Sequence, residues 1–140
     1  MKPHYATVGE IKKTNTLSAR EKTSAFKIAL ALLESGFHGM PIVNSNDQVV
    51  GKVSEIDLIK ALAEGKDLKE TPAAEVMKIC PVVIDEATPL EEVAHYMMQL
   101  HLFRIPVVDE EKHLVGTITR HDLLRGWMGA LGLTQEGFWG

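Results

Sequence analysis

The 140-residue chain is one unit written twice, at an offset of 65 residues. No other feature constrains its fold as much, because whatever it folds into must be built from two like halves. GMPIVNSNDQVVGKVSEIDLIKAL (39–62) lies over RIPVVDEEKHLVGTITRHDLLRGW (104–127). Identities fall at Pro41/Pro106, Val43/Val108, Val50/Val115, Gly51/Gly116, Asp57/Asp122 and Leu58/Leu123. Upstream, Ile28/Val93, Ala29/Ala94 and Leu32/Met97 occupy matching helical positions, and Thr23 meets Thr88.

Each copy reads as strand, helix, strand, strand, helix. In the second, a β-branched strand over 82–84 leads into Thr88-Pro89-Leu90-Glu91, which has the form of a capping box with proline at the first helical position. Leu90, Val93, Ala94, Met97 and Leu100 then make one apolar stripe. Strands over 105–108 and 114–119 flank the polar turn Asp109-Glu110-Glu111-Lys112, and a helix covers 122–127. The first copy predicts strands over 17–19, 40–43 and 49–54, with helices over 25–35 and 57–62. Its turn is Asn44-Ser45-Asn46-Asp47.

The organisation expected is repeat 1 over 8–62, a charged linker over 63–72, repeat 2 over 73–128 and a C-terminal tail over 129–140. Roughly 60 residues per copy is marginal for an independent core. The expected fold is therefore α+β: two tandem β-α-β-β-α repeats packed as one pseudo-two-fold symmetric module, with clefts at their boundary. In the tail, Leu131, Leu133, Phe138 and Trp139 suggest an ordered segment rather than disorder, one that docks across a dimer interface or else covers the end of the domain.

Composition removes several functions. The net charge of −4 splits into +1 for residues 1–70 (ten Lys/Arg, nine Asp/Glu) and −5 for 71–140 (five against ten). A nucleic-acid binder would show a basic excess. No apolar run spans a bilayer, and MKPHYATVGE lacks the apolar core of a secretory signal, so a cytoplasmic location is expected. The single cysteine, Cys80, excludes an intrachain disulfide and a CxxC pair. There is no GxxxxGK[ST], HExxH or GxSxG, and the six histidines fall in no ligand spacing. Neither an enzyme nor a metal site is expected.

What remains is a hydroxyl-x-x-acid pattern that repeats. Ser54-x-x-Asp57 and Thr119-x-x-Asp122 each stand where a strand gives way to a helix. One reading is a helix start, with the hydroxyl as N-cap and the acid suited to the positive end of the dipole. The other is a ligand clamp. The helix start offers N–H donors to phosphate, and the carboxylate accepts from the hydroxyls of a ribose. The two readings are compatible, since a cap can be surrendered to a ligand.

With both copies laid out, the chain resembles a tandem pair of CBS domains, named after cystathionine β-synthase, over about residues 8–128. The residues that carry the likeness are EVMK (75–78), LEEVAHYMMQL, FRIPVVDEE and HLVGTITRHDLLR in the second copy, and GMPIVNSNDQVVGKVSEIDLIKAL in the first. The first copy departs in having EIKK (10–13) where the second has EVMK. The resemblance implies a stand-alone regulatory module, a homodimer, that senses adenosine-containing ligands (AMP, ADP, ATP or S-adenosylmethionine) and modulates an unidentified partner protein. By the family's pattern, Ser54 and Asp57 would act with Arg104, and Thr119, Arg120 and Asp122 with His38. Leu17, Ala19, Val82 and Ile84 would supply apolar walls for an adenine ring, although ordinary core packing explains the same four residues. Some members of the family bind no known ligand. The alternative is accordingly a dimerisation or adaptor module whose Ser/Thr-x-x-Asp pairs are only caps.

Overall fold

The computed structural model describes residues 6–11, 13 and 16–132. His4 and the apolar tail residues Leu133, Phe138 and Trp139 lie outside the described residues. Two compact units are present. One comprises residues 16–81 with 111–114; the other comprises the described residues among 1–15, together with 82–110 and 115–132.

The first unit holds a three-stranded sheet in the order β1 (Ala19–Arg20), β2 (Gly39–Val43), β3 (Val49–Ser54). β1 runs parallel to β2, with Ala19 opposite Ile42, and β2 runs antiparallel to β3, with Gly39 opposite Ser54. In β3 the buried Gly51 and Val53 alternate with the half-buried Val50 and Lys52, as a one-sided strand requires. Helix α1 (Ala25–Ser35) turns Ala25, Ile28 and Leu32 inward, the spacing of one helical face. Ser24 caps its start, accepting from the Lys27 N–H at 3.2 Å. Helix α2 (Glu55–Ala63) adds Leu58 and Ala61 to the core, and the short α3 (Ala73–Val76) adds Ala73.

The second unit repeats the plan with β4 (Ile84–Asp85), α4 (Leu90–Leu100), β5 (Arg104–Val108), β6 (Leu114–Thr119) and α5 (Arg120–Ala130). Its sheet order is β4-β5-β6, and β4 runs parallel to β5. The two cores correspond at the offset of 65: Ala25/Leu90, Ile28/Val93, Leu32/Met97, Met40/Ile105, Ile42/Val107, Val53/Ile118 and Leu58/Leu123 are all buried. Backbone geometry repeats as well. Asp47 and Lys112 both have positive φ at the ends of their turns, and Gly36 and His101 both end their helices in the left-handed region.

Copies and compact units do not coincide. Val8, which opens the first copy, lies fully buried in the core that holds the second copy's strands. Its counterpart Ala73 lies in the core of the first copy's strands. The hydrogen bonds match: Val8 N–H donates to Thr88 O at 2.9 Å, and Ala73 N–H to Thr23 O at 2.7 Å. The bridges Thr7–Pro89 and Ser24–Pro72 match too.

Three expectations are corrected. Thr88 does not cap α4; Pro89 is the N-cap, has no side-chain acceptor, and the Leu90 N–H is satisfied by Ala6 O at 3.1 Å instead. The Thr88 hydroxyl accepts from the Asp85 N–H at 3.3 Å and donates to Asp85 Oδ1 at 3.2 Å. The last helix of each copy starts earlier than the apolar pattern indicated, at Glu55 and Arg120, because Ser54 and Thr119 are its N-caps. The first strand of each copy begins later than expected, at Ala19 rather than residue 17 and at Ile84 rather than residue 82, because each exists only where it pairs with its parallel neighbour. The connector over 63–72 carries a 3₁₀ turn over Leu68–Glu70 that buries Leu68 in the first unit's core. No helix among the described residues is long and apolar enough to cross a membrane.

Candidate functional site

Both hydroxyl-x-x-acid sequences form complete capping boxes. In the first unit Asp57 Oδ2 accepts from the Ser54 N–H at 2.9 Å and the Ser54 hydroxyl at 2.8 Å. In the second, Asp122 Oδ2 accepts from the Thr119 N–H at 3.0 Å, and the Asp122 N–H returns a bond to Thr119 Oγ1 at 3.0 Å. The residues Asp57 and Asp122 are 5% and 3% exposed, and burying a charge is costly unless it is paired and hydrogen-bonded.

Each is paired. Lys78 Nζ lies 3.0 Å from Asp57 Oδ1, and Arg125 Nη2 lies 3.0 Å from Asp122 Oδ1. Burial pushes the Asp57 carboxyl up. The Ser54 N–H and hydroxyl, with Lys78, outweigh that and hold it below the ordinary aspartate value, so the carboxylate is charged at neutral pH.

Glu55, at the first position of α2, donates its N–H to His38 O at 2.9 Å, and its carboxylate meets His38 Nδ1 at 2.9 Å. Its acid is thereby engaged beside the helix start. Arg120, at the equivalent position of α5, lies with its guanidinium 4.2 Å from the centre of the Phe103 ring and donates from Nε to Leu102 O at 2.8 Å. Arg104 is half-buried on β5. Burial lowers its pKa, and the negative charge of Asp122 in the same unit opposes that shift. Of the proposed apolar walls, Ile84 is a core residue, Val82 and Ala19 pack against their cores, and Leu17 is 39% exposed.

Within the first unit the structure therefore brings together Ser54 and Asp57, with His38 against the neighbouring Glu55, and within the second Thr119, Arg120, Asp122 and Arg104. Sequence reasoning missed the two counter-ions. Arg125 was legible as a cation three residues after the acid, repeated as Lys60 in the first copy. Lys78 repeats Lys13, but Lys13 points elsewhere, with its Nζ 3.4 Å from both Val8 O and Ile11 O and 3.7 Å from Glu86. Among the described residues, no three His, Cys, Asp or Glu side chains gather as a metal site.

A family model, CBS domain, matches residues 8–64 and 73–129. An uncharacterized protein of Methanopyrus kandleri, MK0525, is 29% identical over 120 residues, which is 85% of this chain. The chain spans 61% of that relative's length, and about a quarter of several others it matches. Among solved structures, CBSX2 in complex with AMP superposes with a TM-score of 0.74 at 28% identity, covering 91% of this chain and 97% of that one. The CBS domain pair of protein MJ0100, in complex with 5′-methylthioadenosine and S-adenosyl-L-methionine, gives 0.73 at 27% identity, covering 90% and 98%.

Proposed function

The chain belongs to the CBS domain family as a tandem pair, and on that premise we propose that it is a regulatory module that binds an adenosine-containing ligand and modulates a partner protein without turnover of its own. Ser54 and Asp57, and Thr119 and Asp122, are the ligand-facing pairs. The observation that carries this reading is the burial of two charged carboxylates at helix starts where an exposed cap would serve equally well. Retaining a buried charge with its counter-ion is poor value for stability alone. A carboxylate held by hydrogen bonds at a helix start is, however, preorganised to accept from vicinal hydroxyls. The helix N–H groups and nearby cations then favour an anionic substituent.

The relatives that carry adenosine ligands support the class, AMP in one and an S-adenosyl compound in another. Binding acts on the partner through any difference in ligand affinity between two states of the module. The test is a thermal-shift screen of AMP, ADP, ATP, S-adenosylmethionine and GMP. An adenine ligand at one hundred times its Kd stabilises by about 2.7 kcal/mol, and GMP at the same concentration by much less. No shift with any adenine ligand at millimolar concentration overturns the reading.

A second reading, a dimerisation module, draws on the exposed apolar helix faces. In the first unit Leu30, Leu33, Ile56, Ile59 and Leu62 are between 44% and 77% exposed. In the second, α4 and α5 leave an open groove of about 390 Å³ lined by Met97, Met98, Leu123, Leu124 and Trp127 among others. Apolar faces of this kind are ordinarily covered by another chain, and we propose that a second copy covers them. Sedimentation at micromolar concentration decides it: a dimer is expected, and a monomer refutes it. Dimerisation and ligand binding are compatible.

A further inference from the structure

The two sites are written alike in sequence, but their acids are neutralised differently. Asp122 is paired with Arg125 on its own helix, three residues on. Asp57 is paired with Lys78, which lies outside its helix, on the stretch following α3. The backbone of Lys78 is fixed against β3: its N–H donates to Lys52 O at 2.9 Å, and its carbonyl accepts from the Lys52 N–H at 2.7 Å. Gly51 permits that approach, since a Cβ there would lie 2.8 Å from Lys78 O and 2.9 Å from Met77 Sδ. The backbone is therefore held on both sides, while the Lys78 side chain is 61% exposed against 2% for the Asp57 side chain it neutralises. A lysine ammonium on a four-carbon stem has three donors and can swing without disturbing the backbone.

The carboxylate leaves little choice about where a ligand enters. Oδ2 already takes two Ser54 donors, whereas Oδ1 is buried, accepts no hydrogen bond and has the Lys78 ammonium beside it at 3.0 Å as an ion pair, so Oδ1 is the oxygen left for ribose hydroxyls. A ligand that takes Oδ1 loosens the ammonium from its acid. An uncharged nucleoside offers that charge nothing in return. A nucleotide offers its 5′-phosphate, so one charge-assisted contact is exchanged for another.

We infer that Lys78 is the exchangeable counter-ion of the first unit's site: it holds Asp57 in the free protein and passes to the phosphate of a bound adenosine nucleotide, which makes this site selective for a phosphorylated ligand over the bare nucleoside. The inference rests on the adenosine-binding reading above and adds to it a specificity-determining residue. In the second unit the equivalent Lys13 is turned to backbone carbonyls and Glu86, and the cations that act on Asp122 are Arg125 on its own helix and Arg104 on β5.

The experiment titrates AMP and adenosine into the ¹⁵N-labelled full chain and into its Lys78→Met and Lys78→Arg variants. The Ser54 and Asp57 amides report the first site, and the Thr119 and Asp122 amides report the second as an internal control. Lys78→Met is expected to weaken AMP at the first site by about ten- to a hundredfold, the loss of one charge-assisted bond. Adenosine is expected to change less than about threefold, AMP at the second site to be unaffected, and Lys78→Arg to keep most of the preference. Equal losses for AMP and adenosine reduce Lys78 to a support for Asp57 and overturn the inference. So does undiminished AMP binding by Lys78→Met, or AMP that moves only the Thr119 and Asp122 amides. If neither ligand moves either pair of amides in the wild type, the adenosine reading itself fails, and the inference with it.

Discussion

Replacing Asp122 with alanine tests the local physics before any ligand is added. The Thr119 N–H loses its acceptor at 3.0 Å, and Arg125 loses its partner at 3.0 Å. The return bond from the Asp122 N–H to Thr119 Oγ1 survives, because it uses backbone. A hydrogen bond to a buried charged acceptor contributes about 1.5–3 kcal/mol. The arginine side chain is 49% exposed, so solvent screening holds that pair to well under about 1 kcal/mol. The sum is about 2–3 kcal/mol, on the order of 10 °C in Tm for a chain of this size. Asp122→Asn keeps an oxygen for the Thr119 N–H without the charge, and about half the loss is expected. Urea unfolding followed by circular dichroism measures both, with the exposed Glu91→Ala as control. A loss below about 0.5 kcal/mol for Asp122→Ala would refute the argument that this acid is an integral part of the helix start.

Four further outcomes follow from particular residues. Asp57 binds its proton less tightly folded than unfolded, so the stability it contributes is present above about pH 4 and is lost as pH falls through its lowered folded-state pKa; Lys78→Met should move that loss to higher pH, read from the Asp57 carboxyl ¹³C shift. His101 ends α4 at φ +54, where the first copy has Gly36, so His101→Gly should raise stability by up to about 1 kcal/mol in urea melts. Val8→Ala should cost roughly 1–3 kcal/mol and expose amides of β5 and β6 to hydrogen exchange while sparing β2, because Val8 packs with the second copy's core. Burial pushes the Cys80 thiol up, with Lys52 opposing, so its alkylation at pH 7.5 should be slower than that of a free thiol.

The repeat made most of the architecture legible, because period-2 and period-3.6 patterns that occur twice confirm one another. Strands β3 and β6 and helix α1 lie where the apolar pattern put them. β1 and β4 were harder. They are two-residue strands that exist through parallel pairing with β2 and β5, so their limits at Ala19–Arg20 and Ile84–Asp85 depend on a distant partner. The exchange of Val8 and Ala73 between cores could not be read, since comparison at a fixed offset shows that two residues are equivalent without saying what each one touches. Lys78 was missed for the same reason. Its acid is 21 positions away, reached through the edge of β3, and the matching Lys13 does not reach Asp122. The capping boxes were legible because an N-cap is a contact three residues long.

The proposed function turns on the two buried carboxylates receiving a ribose. Its most direct measurement is calorimetric titration of AMP and 2′-deoxy-AMP into the wild type, Asp57→Ala, Asp122→Ala and the double variant. AMP is expected to bind, each single variant to remove or weaken one class of sites, and the double variant to lose AMP by at least about a hundredfold at both. Removing the 2′-hydroxyl is expected to weaken the wild type, but to weaken a site little further once its aspartate is gone, because hydroxyl and carboxylate report one interaction. AMP binding that is unchanged in the double variant, in protein that melts earlier than wild type, would contradict it and leave the buried acids as caps alone.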